Sequence, residues 1–88
     1  IDDYTKVIEV NPEYVRAYSS RGIAYDDLGK YQKTIDDCSK AIELDPKNAD
    51  AYINRGNTYV FQEFPTAACG DFYQAGLLFL KKNNITQS

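Results

Sequence analysis

Apolar and polar positions along this chain recur with the period of an α-helix rather than of a strand. Tyr18, Arg21, Gly22 and Tyr25 fall at i, i+3, i+4 and i+7, one stripe of a helix, and Tyr52, Arg55, Gly56 and Tyr59 repeat the stripe 34 residues later. The segments between carry a second kind of face: Ile35, Cys38, Ala41 and Ile42 in one, and Tyr4, Val7 and Ile8 in another. Pro12 and Pro46 each end the segment before them, because proline cannot continue helical hydrogen bonding and restricts the residue that precedes it. Gly29 stands between two periodic segments, where a left-handed residue commonly closes a helix. The pattern predicts five helices, at about 1–10, 13–28, 31–44, 48–62 and 65–82.

The 34-residue spacing runs through more than the stripes. IDDYTKVIEVNP at 1–12 returns as IDDCSKAIELDP at 35–46, and seven of fourteen positions agree between residues 1–14 and 35–48. Repeated units of this length bury their apolar faces by stacking on one another. Glycine in a helix interior costs about 1 kcal/mol against alanine, so Gly22 and Gly56 at equivalent places need a reason. Close approach of a neighbouring helix supplies one, with Tyr18, Tyr25, Tyr52 and Tyr59 expected to be mostly buried around the contact.

The run AYSSRGIAYDDLGKYQKTIDDCSKAIELDP at 17–46 resembles a tetratricopeptide repeat. An aromatic residue precedes an x-x-x-Gly step and a Tyr follows three residues on. Leu-Gly-x-Tyr sits at the turn, an Ala lies near the end of the second helix, and Asp-Pro comes after it. The resemblance covers nearly the whole chain, with 1–14 as the second half of a unit, 15–48 as a full unit and 49–82 as a divergent one. It implies an all-α fold, a right-handed superhelical stack of antiparallel helix pairs (an α-solenoid). The chain is then expected to begin at the second helix of a unit, within a longer protein. The third unit departs from the pattern. It has Gln62, Glu63 and Pro65 where the previous one has Leu28, Gly29 and Tyr31, and Leu80 where Pro46 would recur. Pro65 suits a helix start, and the apolar run through Leu80 makes the last helix longer than its equivalents. Asn83-Asn84 reads as its stop, leaving 83–88 as a tail or the start of a further unit.

Composition narrows the chemistry. Eighty-eight residues make one domain at most, 43% hydrophobic, with eight Tyr, four Phe and neither Trp nor Met. A net charge of −3 argues against a nucleic-acid partner, which needs clustered Lys and Arg. The chain has no His, and hence no general base or metal ligand of the usual kind near neutral pH. Cys38 and Cys69 match no zinc spacing and read as two buried small hydrophobes of a reducing, cytoplasmic environment. No apolar run approaches the ~20 residues of a membrane span. Asp2/Asp3 and Asp36/Asp37 point about 100° apart on a helix and cannot share a proton, so neither an enzymatic activity nor a cofactor or metal is expected.

Arg21 and Arg55 lie on the packing stripe, where a charge is costly unless paired. Asp3, Asp37 and Asp71 share their 34-residue period, sixteen residues after each Arg and eighteen before it, so structural Arg–Asp bridges between helices are expected. The other side of the first helices carries Arg16, Ser19, Ile23 and Asp26, then Asp50, Ile53, Asn54, Asn57, Val60 and Phe61. By the resemblance this is the concave face, which holds an extended peptide or a partner's helix. The Lys/Asn/Arg clamp with which some family members grip a C-terminal carboxylate is not reproduced: Ser19, Ile23 and Asn54 occupy matching places, with no basic residue beside Asn57. The sequence therefore reads as a protein-interaction scaffold. The alternative is a structural unit that assembles with copies of itself through its end helices, Tyr4, Val7, Ile8 and Val10 meeting Leu77, Leu78, Phe79 and Leu80 of a neighbour head to tail.

Overall fold

The computed structural model describes residues 2–83, which form five helices and, among the described residues, no strand. They are α1 (Asp2–Val10), α2 (Val15–Asp27), α3 (Tyr31–Leu44), α4 (Ala49–Phe61) and α5 (Pro65–Asn83). Helix α2 begins two residues later than the periodicity predicts. The Asn11 carboxamide accepts from the Glu13 amide at 3.3 Å and the Tyr14 amide donates to the Asn11 carbonyl, so residues 12–14 form a turn. Helices α2 and α3 form one hairpin and α4 and α5 the next, while α1 packs on α2, α3 packs on α4, and α2 lies beside α4. The chain measures 43 × 31 × 16 Å, and its least dimension is that of two packed helix layers. At 19 residues, α5 outruns the 14 of α3, because Leu80 stands where Pro46 ends the earlier unit. Asn83 belongs to this helix, and residues 84–88, including the rest of the expected tail or further unit, lie outside the described residues.

Small side chains set the spacing of the layers. Ala17, Ala41, Ala51, Ala68 and Ala75 are buried, Tyr18 packs with Ala41 and Ala51, and Ile8, Val15, Ile42 and Leu44 close around them. Two buried threonines that the periodic reading did not single out knit neighbouring helices. The Thr34 hydroxyl lies 3.0 Å from the Gly22 carbonyl, and the Thr58 hydroxyl 3.1 Å from Asp26 Oδ1.

Each arginine of the packing stripe ties three helices together. Arg21 donates from Nε to Asp37 Oδ2 at 2.8 Å and from Nη2 to Asp37 Oδ1 at 2.7 Å, while Nη1 reaches Thr5 Oγ1 at 3.3 Å. Arg55 repeats this with Asp71 at 2.8 and 2.7 Å and with Ser39 Oγ at 3.0 Å. The partner is in both cases the aspartate sixteen residues on; Asp3 is exposed, and no arginine among the described residues bonds it. The guanidinium of Arg21 lies over the rings of Tyr18 and Tyr25, and that of Arg55 over Tyr52 and Tyr59, with centroid distances between 5.7 and 6.0 Å. These contacts explain a departure from expectation: Tyr18 is buried, but Tyr25, Tyr52 and Tyr59 are only half-buried. Their rings roof a charged group that itself keeps some access to water, at 18% exposure for Arg21 and 21% for Arg55. Hydrogen bonding to aspartate raises both arginine pKa values above the ordinary one, against the opposing effect of burial. A raised base contributes its stability at all pH values below its unfolded pKa, so both pairs keep the arginine charge throughout the ordinary range.

The cysteines divide. Cys38 is fully buried against Gly22, and burial, with the nearby Asp37 charge, pushes its thiol up to about 12. Cys69 is exposed, contrary to the expectation of two buried thiols. Its equivalent 34 residues earlier, Ile35, is buried in α3, a helix packed between α2 and α4; among the described residues, α5 packs on α4 alone.

The helix ends show how a shared turn survives different residues. Gly29 has φ +75°, with its amide on the Asp26 carbonyl and the Lys30 amide on that of Tyr25. Glu63 occupies the equivalent place at φ +63°, with Glu63 bonded to Val60 and Phe64 to Tyr59 in the same pattern. The edge-on contact of the Phe64 and Tyr59 rings, 6.4 Å apart, closes this second turn.

Two predictions follow from this packing. A Cβ on Gly56 would stand 2.8 Å from Phe72 Cε1, whereas one on Gly22 would meet its nearest atom, Asp37 Cβ, at 3.4 Å. Gly22→Ala is therefore expected to be neutral or stabilising, and Gly56→Leu to cost about 1–3 kcal/mol by overpacking; urea melts of the two variants check this. Left-handed backbone costs a non-glycine residue about 1–2 kcal/mol. Glu63→Gly is expected to return about 1 kcal/mol of this after the added unfolded-chain entropy, seen as a rise of several degrees in melting temperature.

Candidate functional site

A concavity of about 890 Å³ opens where the starts of α2 and α4 meet the end of α5. Val15, Arg16, Ser19 and Ile23 of α2 form one wall, and Ala49, Asp50 and Asn54 of α4 the floor. The turn before α4 adds Asp45, Lys47 and Asn48, and α5 adds Leu78, Phe79 and Lys81. The turn is held by its own side chains. Asp45 accepts from the Lys47 amide, and Asn48 caps α4 by accepting from the Ala51 amide at 3.2 Å. Asp45 and Asn48 thus serve the backbone, while Arg16, Lys47 and Asp50 are exposed.

Of the ten residues expected on the concave face, Arg16, Ser19, Ile23, Asp50 and Asn54 line this groove. The others do not. Asp26 accepts a hydrogen bond from Thr58 across the α2–α4 contact. Phe61 stacks on Tyr31 of α3, ring centres 5.7 Å apart and planes within 4°, at the far end of α4. Val60 is exposed at that same end, and Ile53 and Asn57 lie outside the groove lining.

The groove residues that sequence reasoning missed are Val15 and Ala49, at the starts of α2 and α4, and those of α5 and of the α3–α4 turn. Leu78, Phe79 and Lys81 reach the groove because α5 continues where α3 stops, at the place corresponding to Leu44. The signal was present in Leu80, which replaces the helix-ending proline. Ile23 and Phe79 are about half exposed and give the groove an apolar patch, while Asn54 is a half-buried amide able to donate and accept. The Ser19 hydroxyl is buried with no partner among the described residues. Arg16, Lys47 and Lys81 outnumber Asp45 and Asp50 by one, so the groove is slightly cationic in a chain of net charge −3. No cluster of three or more candidate metal ligands occurs among the described residues, and no helix there is long and apolar enough to cross a membrane.

Comparison with known proteins gives the same architecture. Two tetratricopeptide-repeat models match, one over residues 15–48 and the other over 38–86. No curated protein matches the sequence as a relative. Among solved structures, a crystal structure of MamA superposes with a TM-score of 0.92 at 29% identity, over 94% of this chain and 48% of that one. The second TPR of Spaghetti (RPAP3), bound to the HSP90 peptide SRMEEVD, gives 0.82 at 31% identity over 85% of this chain and 69% of that one. The TPR2B domain of yeast Sti1, in a complex with pHsp70, gives 0.88 at 33% identity over 92% and 65%. The chain spans about half the length of the MamA structure. The five helices are thus a right-handed stack of helix pairs, and the chain belongs to the tetratricopeptide-repeat family.

Proposed function

We propose that the chain is a protein-interaction module that holds an extended peptide, or a helix of a partner protein, in the groove between α2, α4 and the end of α5. One observation carries the reading: apolar Ile23, Leu78 and Phe79 converge with the Asn54 amide in a single concavity of about 890 Å³. Apolar walls with a few placed polar groups are what an extended chain needs, the amide for its backbone and the patch for a side chain. The peptide-bound Spaghetti domain, of the same family, supports the reading. The work is binding alone, with no catalytic residue, cofactor or metal, in the reducing cytoplasm that suits an exposed Cys69 thiol.

Self-assembly through the end helices is the second reading. It is favoured by exposed Tyr4 and Val7 on α1 and by exposed Phe72, Tyr73 and Leu80 on α5. Sedimentation separates the two, since a concentration-dependent dimer favours assembly and a monomer favours the adaptor.

Peptides selected from a random displayed library against the wild-type chain provide the direct test. Ile23→Glu and Asn54→Ala are each expected to weaken the selected peptides at least tenfold, while Val60→Ser, outside the groove, leaves them unchanged. Equal affinity for all three variants would place the ligand elsewhere.

A further inference from the structure

The chain's cations are not spread evenly over it. Arg21 and Arg55 are used in the forks, Lys40 pairs with Glu43 along α3 at 3.7 Å, and Lys33 lies over the Tyr25 ring. Three of the chain's ten lysines and arginines, Arg16, Lys47 and Lys81, line the one groove. All three are exposed, and none forms an ion pair among the described residues. They come from three elements: the first turn of α2, the α3–α4 turn and the end of α5. Lys47 and Lys81 stand 34 residues apart, at equivalent places in successive units, although one lies in a turn and the other in a helix. Two acids share the groove. Asp45 is turned to the Lys47 amide, which leaves Asp50 as the exposed one.

Depth sorts the remaining chemistry. The Ser19 hydroxyl is buried without a partner, and the half-buried Asn54 side chain makes no hydrogen bond among the described residues. A hydroxyl and an amide each donate and accept, which matches the alternating N–H and C=O of an extended backbone. Neither brings a positive charge. Arg16 lies one turn before Ser19, and side chains on a helix lean toward its N-terminus, so its guanidinium leads away from Ser19. A terminal carboxylate seated between Ser19 and Asn54 would lose its water without gaining a cation. Carboxylates on side chains, by contrast, can reach the exposed border while the backbone lies deeper.

We propose that the groove selects an acidic segment from the interior of a partner chain. Aspartates or glutamates of the segment meet Arg16, Lys47 and Lys81, and one apolar side chain rests on Ile23 and Phe79. This rests on the groove being the binding site and adds what is bound there. Charge complementarity selects the occupant: a basic segment would meet three like charges, and a chain end would bury its carboxylate uncompensated.

Two displayed nonapeptide libraries, one with a free C-terminus and one held between flexible linkers at both ends, are selected against the full chain. The linked library is expected to yield binders enriched in aspartate and glutamate. As synthetic peptides they should bind equally well with an amidated or a free C-terminus, and more weakly as salt is raised. Lys47→Glu combined with Lys81→Glu changes two exposed side chains and should leave helicity intact. It is expected to weaken these peptides about tenfold and to favour counterparts in which lysine replaces each acid. Asp50→Asn should strengthen the acidic peptides, and Lys40→Gln, outside the groove, should leave them unchanged. Ile23→Glu separates the two claims. Binders lost in Ile23→Glu occupy the groove; if these are neutral or basic, require a free C-terminal carboxylate, or ignore the lysine exchange, the acidic selectivity is overturned while peptide binding in the groove stands. Binders that keep their affinity in Ile23→Glu, or no binders from either library, overturn both.

Discussion

Arg21 and Arg55 place a charge where two helices meet and a third passes close by. Removing a guanidinium from water costs several kcal/mol unless a well-placed anion and further hydrogen bonds replace the lost hydration. Asp37 and Asp71 supply the anion in forked geometry, Thr5 and Ser39 accept a third bond, and two tyrosine rings cover each guanidinium. Satisfying those donors fixes α2 against α3 and α1, and α4 against α5 and α3. The small residues at the same contacts, Gly22, Ala41, Gly56 and Ala75, are compatible with only a narrow range of helix separations. The arginine fork then selects the register within that range. A buried ion pair adds little to stability compared with an apolar substitute; its effect here is to exclude neighbouring registers in which the charge would be stranded.

Much of this was legible in the sequence because a period repeats each decision. Helix existence followed from the 3.6-residue pattern and from Pro12, Pro46 and Gly29, and the two glycines announced helix crossings. The sequence spacing left two aspartates open to Arg21, one eighteen residues before it and one sixteen after. The structure chooses the latter because α2 and α3 form a hairpin, while α1 offers only Thr5. Glu63 could not be foreseen as left-handed. The turn there is imposed by the helices it joins and by the Phe64–Tyr59 contact, overriding the residue's own preference. Burial was misjudged at Cys69 for a related reason: periodicity gives the direction of a side chain, but whether a neighbour lies there depends on where in the stack the helix sits.

The groove was half legible in the sequence. Its α2 and α4 residues lie on the faces opposite the packing stripes, and these follow from helical spacing. Its third wall comes from α5, whose extra turn exists because one proline is absent, and the reach of that turn depends on the angle between α4 and α5. Leu78 and Phe79 thus line the groove, although the repeat pattern assigns them to a helix end and a turn. At the far ends of the same faces, Asp26 and Phe61 are engaged by Thr58 and Tyr31.

The role assigned to the arginine forks is tested most directly by a double-mutant cycle on Arg55 and Asp71, using Arg55→Met, Asp71→Leu and the double variant in urea denaturation. Each single change strands the partner charge and is expected to cost about 3 kcal/mol. The double variant should be no less stable than the weaker single one, giving a coupling of about 2 kcal/mol or more. Additive costs, or single variants within about 0.5 kcal/mol of wild type, would show that the helices are held in register by their apolar contacts and that the forks merely decorate them.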